Sequence, residues 1–133
     1  MVERASISRR ITESDVQMFS EVTGDVNPVH MDEDFSKRTI FGGRVVHGML
    51  LGGLISAVLG TKLPGPGAIY LSQTMKFVAP VRIGDTVMAT VEVIELMERE
   101  DKPPRVRLRT VCTNQDGRQV LEGEALLQLS KVD

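Results

Sequence analysis

The stretch Gly48-Met49-Leu50-Leu51-Gly52-Gly53-Leu54-Ile55-Ser56-Ala57-Val58-Leu59 decides the fold. It is apolar on every side of a helical wheel, and such a helix is stable only when protein surrounds it. At 1.5 Å per residue it predicts a central buried rod about 18 Å long. Gly52 and Gly53 lower helix propensity by about 1 kcal/mol each, a cost that fits the close approach of a sheet or of a second backbone.

Upstream, the chain predicts smaller pieces. Val2 to Arg9 reads as an opening strand. Thr12-Glu13-Ser14-Asp15 opens a helix from Glu13 to about Val22, because a hydroxyl caps the first N–H groups and acids suit the positive end of the dipole. Gly24 and then Pro28 end it, since glycine suits the position after a helix and proline lacks a donor. Asp25 to His30 is therefore read as loop. Asp32 to Arg38, acidic at its start and basic at its end, reads as a short overhanging helix before the Gly42-Gly43 break.

Downstream, Gly60 to Gly67 is an exit loop, and the rest alternates as strand. Ile69, Leu71, Met75 and Phe77 form one apolar row. Val87 to Val93, then Val106 to Cys112, then Leu121 to Leu129 form three more. Turns are expected at Pro80 to Asp85, at Glu100 to Pro104 and at Asn114 to Gly117. Helices followed by four long antiparallel strands make an α+β domain, here one domain over residues 1–133. A sheet that must cover one very apolar helix curls around it, which is the hotdog arrangement. Its open edges and its incompletely covered helix predict a homodimer.

Composition removes several classes of function. Sixteen basic and eighteen acidic side chains give a formal net charge of −2, so nothing global attracts nucleic acid or an anionic membrane. With no Trp and a single Tyr, stacking platforms for single strands are missing as well. No apolar run approaches the roughly 18 residues that span a bilayer. One cysteine, Cys112, and no apolar leader point to the cytoplasm. Two histidines and one cysteine lack zinc spacing, and no glycine-rich phosphate loop follows a strand, so no metal or other cofactor is expected. Arg105, Arg107 and Arg109 alternate outward as a solvated face, and the methionines read as core filling.

One segment carries chemistry. Thr23-Gly24-Asp25-Val26-Asn27-Pro28-Val29-His30 sets a carboxylate and an imidazole five positions apart on a turn, just upstream of the buried helix that opens at His47-Gly48. An Asp-Asn-Pro turn alone is usually structural. Combined with His30 and Val45-Val46-His47-Gly48-Met49, it reads as an acid/base site.

Phe19 through Ser56, which holds both motifs, resembles the hydratase-2 motif of the (R)-specific enoyl-CoA hydratases, in the MaoC-like hotdog group. The likeness continues through Leu63-Pro64-Gly65-Pro66-Gly67 and Ile69 to Pro80 and thins toward the C-terminus. It implies addition of water across the trans-2 double bond of an acyl-CoA thioester to give the (3R)-hydroxyacyl-CoA, carried by Asp25 and His30. It leaves open whether the product serves polyhydroxyalkanoate synthesis or fatty-acid metabolism.

Hydration needs water deprotonated as it attacks C3, a proton for C2, and a donor for charge developing on the thioester oxygen. Asp25 is assigned as base, and His30 as orienter and partner in proton transfer. Gly48, at the N-terminus of the buried helix, is assigned as the oxyanion donor; its missing side chain lets a thioester approach. Asn27, fixing the turn, and Ser56, two turns along the helix, are the supporting substrate-binding candidates. His47 is read as structural, capping or bonding to a backbone carbonyl. Rival readings are a (3R)-hydroxyacyl dehydratase acting on an acyl-carrier-protein thioester, a thioesterase of the same fold, and a non-catalytic acyl-binding domain.

Overall fold

A computed structural model of the chain describes residues 3–130; Val2, the predicted start of the first strand, lies outside them. Strand β1 (Arg4–Arg10) leads through a capping box into helix α1 (Glu13–Thr23). Thr12 Oγ1 accepts from the Asp15 N–H at 3.2 Å, and the Asp15 carboxylate accepts from the Thr12 N–H at 3.0 Å. Gly24 closes α1 at φ 78°, a left-handed conformation that glycine adopts without strain.

The apolar stretch forms helix α4 (Gly48–Thr61), two residues longer than the sequence suggests. Around it curl β2 (Ile69–Gln73), β3 (Lys76–Phe77), β4 (Thr86–Arg99), β5 (Lys102–Thr113) and β6 (Gln119–Gln128). The antiparallel sheet runs β1-β4-β5-β6-β2, with β3 also paired to β6. Leu51, Ile55, Val58 and Leu59 of α4 bury against Val87, Ala89, Val91, Leu108, Leu121 and Leu127. Full burial of one such branched side chain is worth about 1.5–3 kcal/mol, so this contact is the main cohesive element of the fold. The predicted rows on β4, β5 and β6 are the inward rows, and the arginines of β5 face outward, Arg107 pairing with Glu95 at 3.3 Å.

Four readings need correction. First, α4 is not surrounded on all sides within one chain: Met49 is 57% exposed, and Gly53 and Ser56 share its open face. Second, the row from Ile69 to Phe77 is two strands on the same edge of β6, interrupted at Thr74 and Met75 where the chain presses against Gly123. An ideal Cβ on Gly123 would stand 1.8 Å from the Thr74 carbonyl oxygen, so only glycine admits so close an approach.

Third, Pro103 and Pro104 belong to β5 rather than to the turn before it. They fall where the pairing slips between Arg99↔Lys102 and Met97↔Arg105, a bulge at which proline's missing N–H breaks no ladder bond. Fourth, His30 is on no loop. Pro28–Met31 is a helical turn, α2, capped by the Asn27 side chain, which accepts from the Val29 N–H at 3.0 Å. Proline at the first helical position loses no bond there and presets the backbone. Helix α3 (Glu33–Lys37) follows as expected, with Asp32 and Arg38 as its caps.

Candidate active site

The Asp25-to-His30 segment is held from three sides. Ser36, fully buried on α3, donates its hydroxyl toward the carbonyls of Pro28, Val29 and Asp32. Arg44 donates from Nε to the His30 carbonyl at 2.7 Å and grips Glu13 of α1 through both terminal nitrogens at 2.8 Å. The Val45 N–H donates to the Val29 carbonyl at 3.2 Å. Such clamping of the supporting backbone sets side-chain geometry more firmly than a free loop would.

Hydrogen bonding fixes the tautomer of the His30 ring. Its Nδ1 lies 2.8 Å from the Val45 carbonyl oxygen, which can only accept. Nδ1 therefore carries a hydrogen, and in the neutral tautomer the lone pair falls on Nε2. Asp25 is exposed, and its Oδ1 accepts from the Asn27 N–H at 3.3 Å, which leaves Oδ2 uncommitted. The donor atoms of Asp25, His30 and His47 lie within 4.8 Å of one another. The predicted carboxylate and imidazole thus do converge.

His47 completes the group. Its ring is buried and stacks on His30 with centroids 3.9 Å apart and planes inclined by 29°. Nε2 is 3.0 Å from the Asp25 carbonyl and 3.1 Å from the Ser20 hydroxyl, so it is the protonated nitrogen and ties the Asp25 backbone to α1. Burial holds the His47 pKa below its ordinary value and keeps the ring neutral. The structural role expected of it, a bond to a backbone carbonyl, is the one observed. The signal within reach was that an N-cap position without a capping hydroxyl still carried a polar ring.

Two histidines and a carboxylate this close could take a cation, although their sequence spacing gave no sign of it. Stacked rings, however, hold their lone pairs in nearly parallel planes. One of the four ring nitrogens is committed to Val45 and another to Asp25. The arrangement suits an ordered water better than a tetrahedral ion. Replacing His47 by phenylalanine keeps the stacked area and removes the donor to the Asp25 carbonyl. The expected result is a loss of about 1–2 kcal/mol in urea-unfolding free energy, the usual cost of stranding a partly buried acceptor.

Asp25, His30, His47 and Gly48 line a cavity of about 550 Å³. The rest of its lining is apolar, from Val29, Phe41, Met49, Leu51, Phe77 and Val81 among others. A few polar groups in a mostly apolar lining suit an acyl group with one reactive head. Gly48 is the first residue of α4, so its N–H has no acceptor within the helix and sits at the positive end of the dipole. The space beside its Cα is not empty: the Phe77 ring occupies it.

Asn27 acts as the cap described above, and its side chain does not reach the cavity lining. Ser56 is exposed on the open face of α4, away from this cavity. Cys112 is no nucleophile: it is fully buried, and burial pushes its thiol up to about 12. Among the described residues no helix is long and apolar enough to cross a membrane.

Known proteins resemble this chain over most of its length. Residues 2–122 match the family described as "MaoC like domain". A 3-hydroxybutyryl-CoA dehydratase of Methylorubrum extorquens is 54% identical over 94% of this chain and 77% of its own length. An (R)-specific enoyl-CoA hydratase of Rhodospirillum rubrum is 50% identical over 96% of this chain and 85% of its own. Among solved structures, the (R)-hydratase from A. caviae involved in PHA biosynthesis superposes with a TM-score of 0.90, at 43% identity, over 97% of this chain and 96% of its own. With its helix-in-sheet architecture, its turn-borne carboxylate and imidazole and these relatives, the chain belongs to the MaoC-like family of hotdog hydratases and dehydratases.

Proposed function

We propose that this protein catalyses the (R)-specific addition of water to trans-2-enoyl-CoA, giving (3R)-3-hydroxyacyl-CoA. The observation that carries the reading is the pairing of Asp25 and His30 in the cavity lining. With Nδ1 of His30 bound to the Val45 carbonyl, Nε2 is the nitrogen left to accept, and a carboxylate oxygen of Asp25 lies within 4.8 Å of a ring nitrogen of His30. Relatives at 54% and 50% identity support the CoA thioester as substrate class and the R configuration as outcome.

In this mechanism the thioester oxygen accepts from the Gly48 N–H, which draws electron density from C3 and stabilises the enolate-like charge. A water bound between Asp25 and His30 gives one proton to Asp25 while its oxygen bonds to C3. His30 Nε2 accepts the water's other hydrogen and so orients the attacking lone pair. The proton held on Asp25 passes to C2, so the elements of water are added and nothing else is consumed. The same groups run the reverse elimination, the direction named for the M. extorquens relative.

The working unit in this reading is a homodimer. The open face of α4, with Met49, Gly53 and Ser56, and the outer strand β2, with Ile69, Tyr70 and Leu71 each 40–45% exposed, form the apolar surface a second copy would cover. Ser56 belongs to that surface, so any contact it makes with an acyl chain requires the partner. The test is twofold. Loss of the conjugated enoyl absorbance of crotonyl-CoA on adding the protein is expected, and sedimentation at micromolar concentration should give twice the chain mass. A protein without hydratase turnover would overturn the assigned reaction, and a monomer that turns over normally would overturn the assembly.

A further inference from the structure

We propose that Phe77 is a specificity-determining residue that closes the site to acyl groups substituted at C2. This inference rests on the hydration reading above. Phe77 occupies the notch left by the missing side chain of Gly48: an ideal Cβ on Gly48 would stand 2.5, 2.8 and 3.0 Å from Cε1, Cδ1 and Cζ of the ring. The ring therefore lies directly beside the residue whose N–H holds the thioester oxygen, and it also lines the cavity.

The carbonyl carbon sits one bond from that oxygen, and C2 one bond further. With the oxygen fixed on Gly48, C2 must pass along the Phe77 ring while C3 faces Asp25 and His30. The ring takes up the width of the cavity beside Gly48 and leaves room for an unbranched enoyl group. A methyl on C2 widens the enoyl group within its own plane, and on this side the added width meets the aromatic carbon.

The ring is held in place by design of the backbone rather than by enclosure. Phe77 is 51% exposed and belongs to a strand of two residues, paired to β6 through Lys76↔Glu122 and Phe77↔Leu121. Two residues earlier, Met75 fills the matching notch on the next turn of α4: an ideal Cβ on Gly52 would stand 2.9 Å from its sulfur. The glycines at 48 and 52 and the side chains at 77 and 75 thus mesh as two teeth in two gaps. That meshing fixes where the aromatic wall stands.

The test compares crotonyl-CoA with 2-methylcrotonyl-CoA on the wild type, Phe77→Ala and Phe77→Leu. The methyl group changes intrinsic reactivity, but equally for every variant, so the quantity read is the ratio of the two kcat/KM values. One methyl-sized contact in an apolar pocket is worth roughly 10–200-fold. Phe77→Ala is therefore expected to shift the ratio toward the branched substrate by about tenfold or more. Phe77→Leu, which keeps an apolar tooth in the Gly48 notch, reports the same shift in smaller measure if alanine unfolds the segment.

A ratio unchanged in folded variants overturns the assignment, as does an equal fall in both activities. Competition by 2-methylbutyryl-CoA against crotonyl-CoA gives an independent reading on the wild type: inhibition as strong as that by butyryl-CoA would also overturn it. Absence of crotonyl-CoA turnover in the wild type is a different result, and it strikes the hydration reading itself.

Discussion

Asp25→Asn lowers kcat for crotonyl-CoA hydration by about 100-fold or more and leaves KM nearly unchanged, the behaviour of a group that moves a proton in the transition state. The substitution is nearly isosteric. The amide oxygen can still accept from the Asn27 N–H, now at 3.3 Å from Oδ1, so the turn keeps its local bond. What disappears is the capacity to take a proton from water. His30→Ala is expected to cost a similar factor by removing the Nε2 acceptor, together with a small loss of stability from the stranded Val45 carbonyl. Because both residues act on one water, the double variant should be barely worse than either single one. Steady-state kinetics on proteins with wild-type circular dichroism check this; full turnover in folded Asp25→Asn would remove Asp25 from the mechanism.

The buried rod and the rows around it were legible because burial leaves a periodic signature. Val87, Ala89 and Val91 alternate, and each is fully buried. The approach of Asp25 to His30 was legible because a Pro-containing turn between two helical segments brings its polar side chains together. What escaped is what periodicity does not encode. The break at Thr74 depends on one glycine on a strand fifty positions away. The helical turn at Pro28 depends on the Asn27 cap outweighing the reading of Asn-Pro as loop. The open face of α4, with Met49, Gly53 and Ser56, carries no charged residue, so composition alone could not tell it from the face this chain covers. The part played by His47 depends on contacts with Asp25, Ser20 and His30, three partners that no sequence spacing ties to it. Long-range bonds of this kind are set by the tertiary fold, and they are where the site is made rigid.

The largest effect on the fold itself is expected at Gly123. Gly123→Ala would set a Cβ 1.8 Å from the Thr74 oxygen, 2.7 Å from its carbonyl carbon and 3.3 Å from the Met75 Cα. These are backbone atoms, so no rotamer change relieves the clash. The Thr74 peptide would have to leave β6, yet it is fastened there: its N–H donates to the Glu124 carbonyl at 2.8 Å, and its hydroxyl accepts from the Glu124 N–H at 3.0 Å. Overpacking commonly costs 1–3 kcal/mol where side chains can adjust, and a backbone clash with lost ladder bonds belongs at or above the top of that range, about 3 kcal/mol or more. Urea unfolding measures it, and a loss under about 1 kcal/mol would mean that the contact yields freely. The same displacement would withdraw Met75 and Phe77 from the notches at Gly52 and Gly48. Gly123→Ala protein kept folded at low temperature should therefore also lose selectivity between linear and C2-branched thioesters, because the aromatic wall beside the oxyanion donor is only as fixed as the contact between Thr74 and Gly123 behind it.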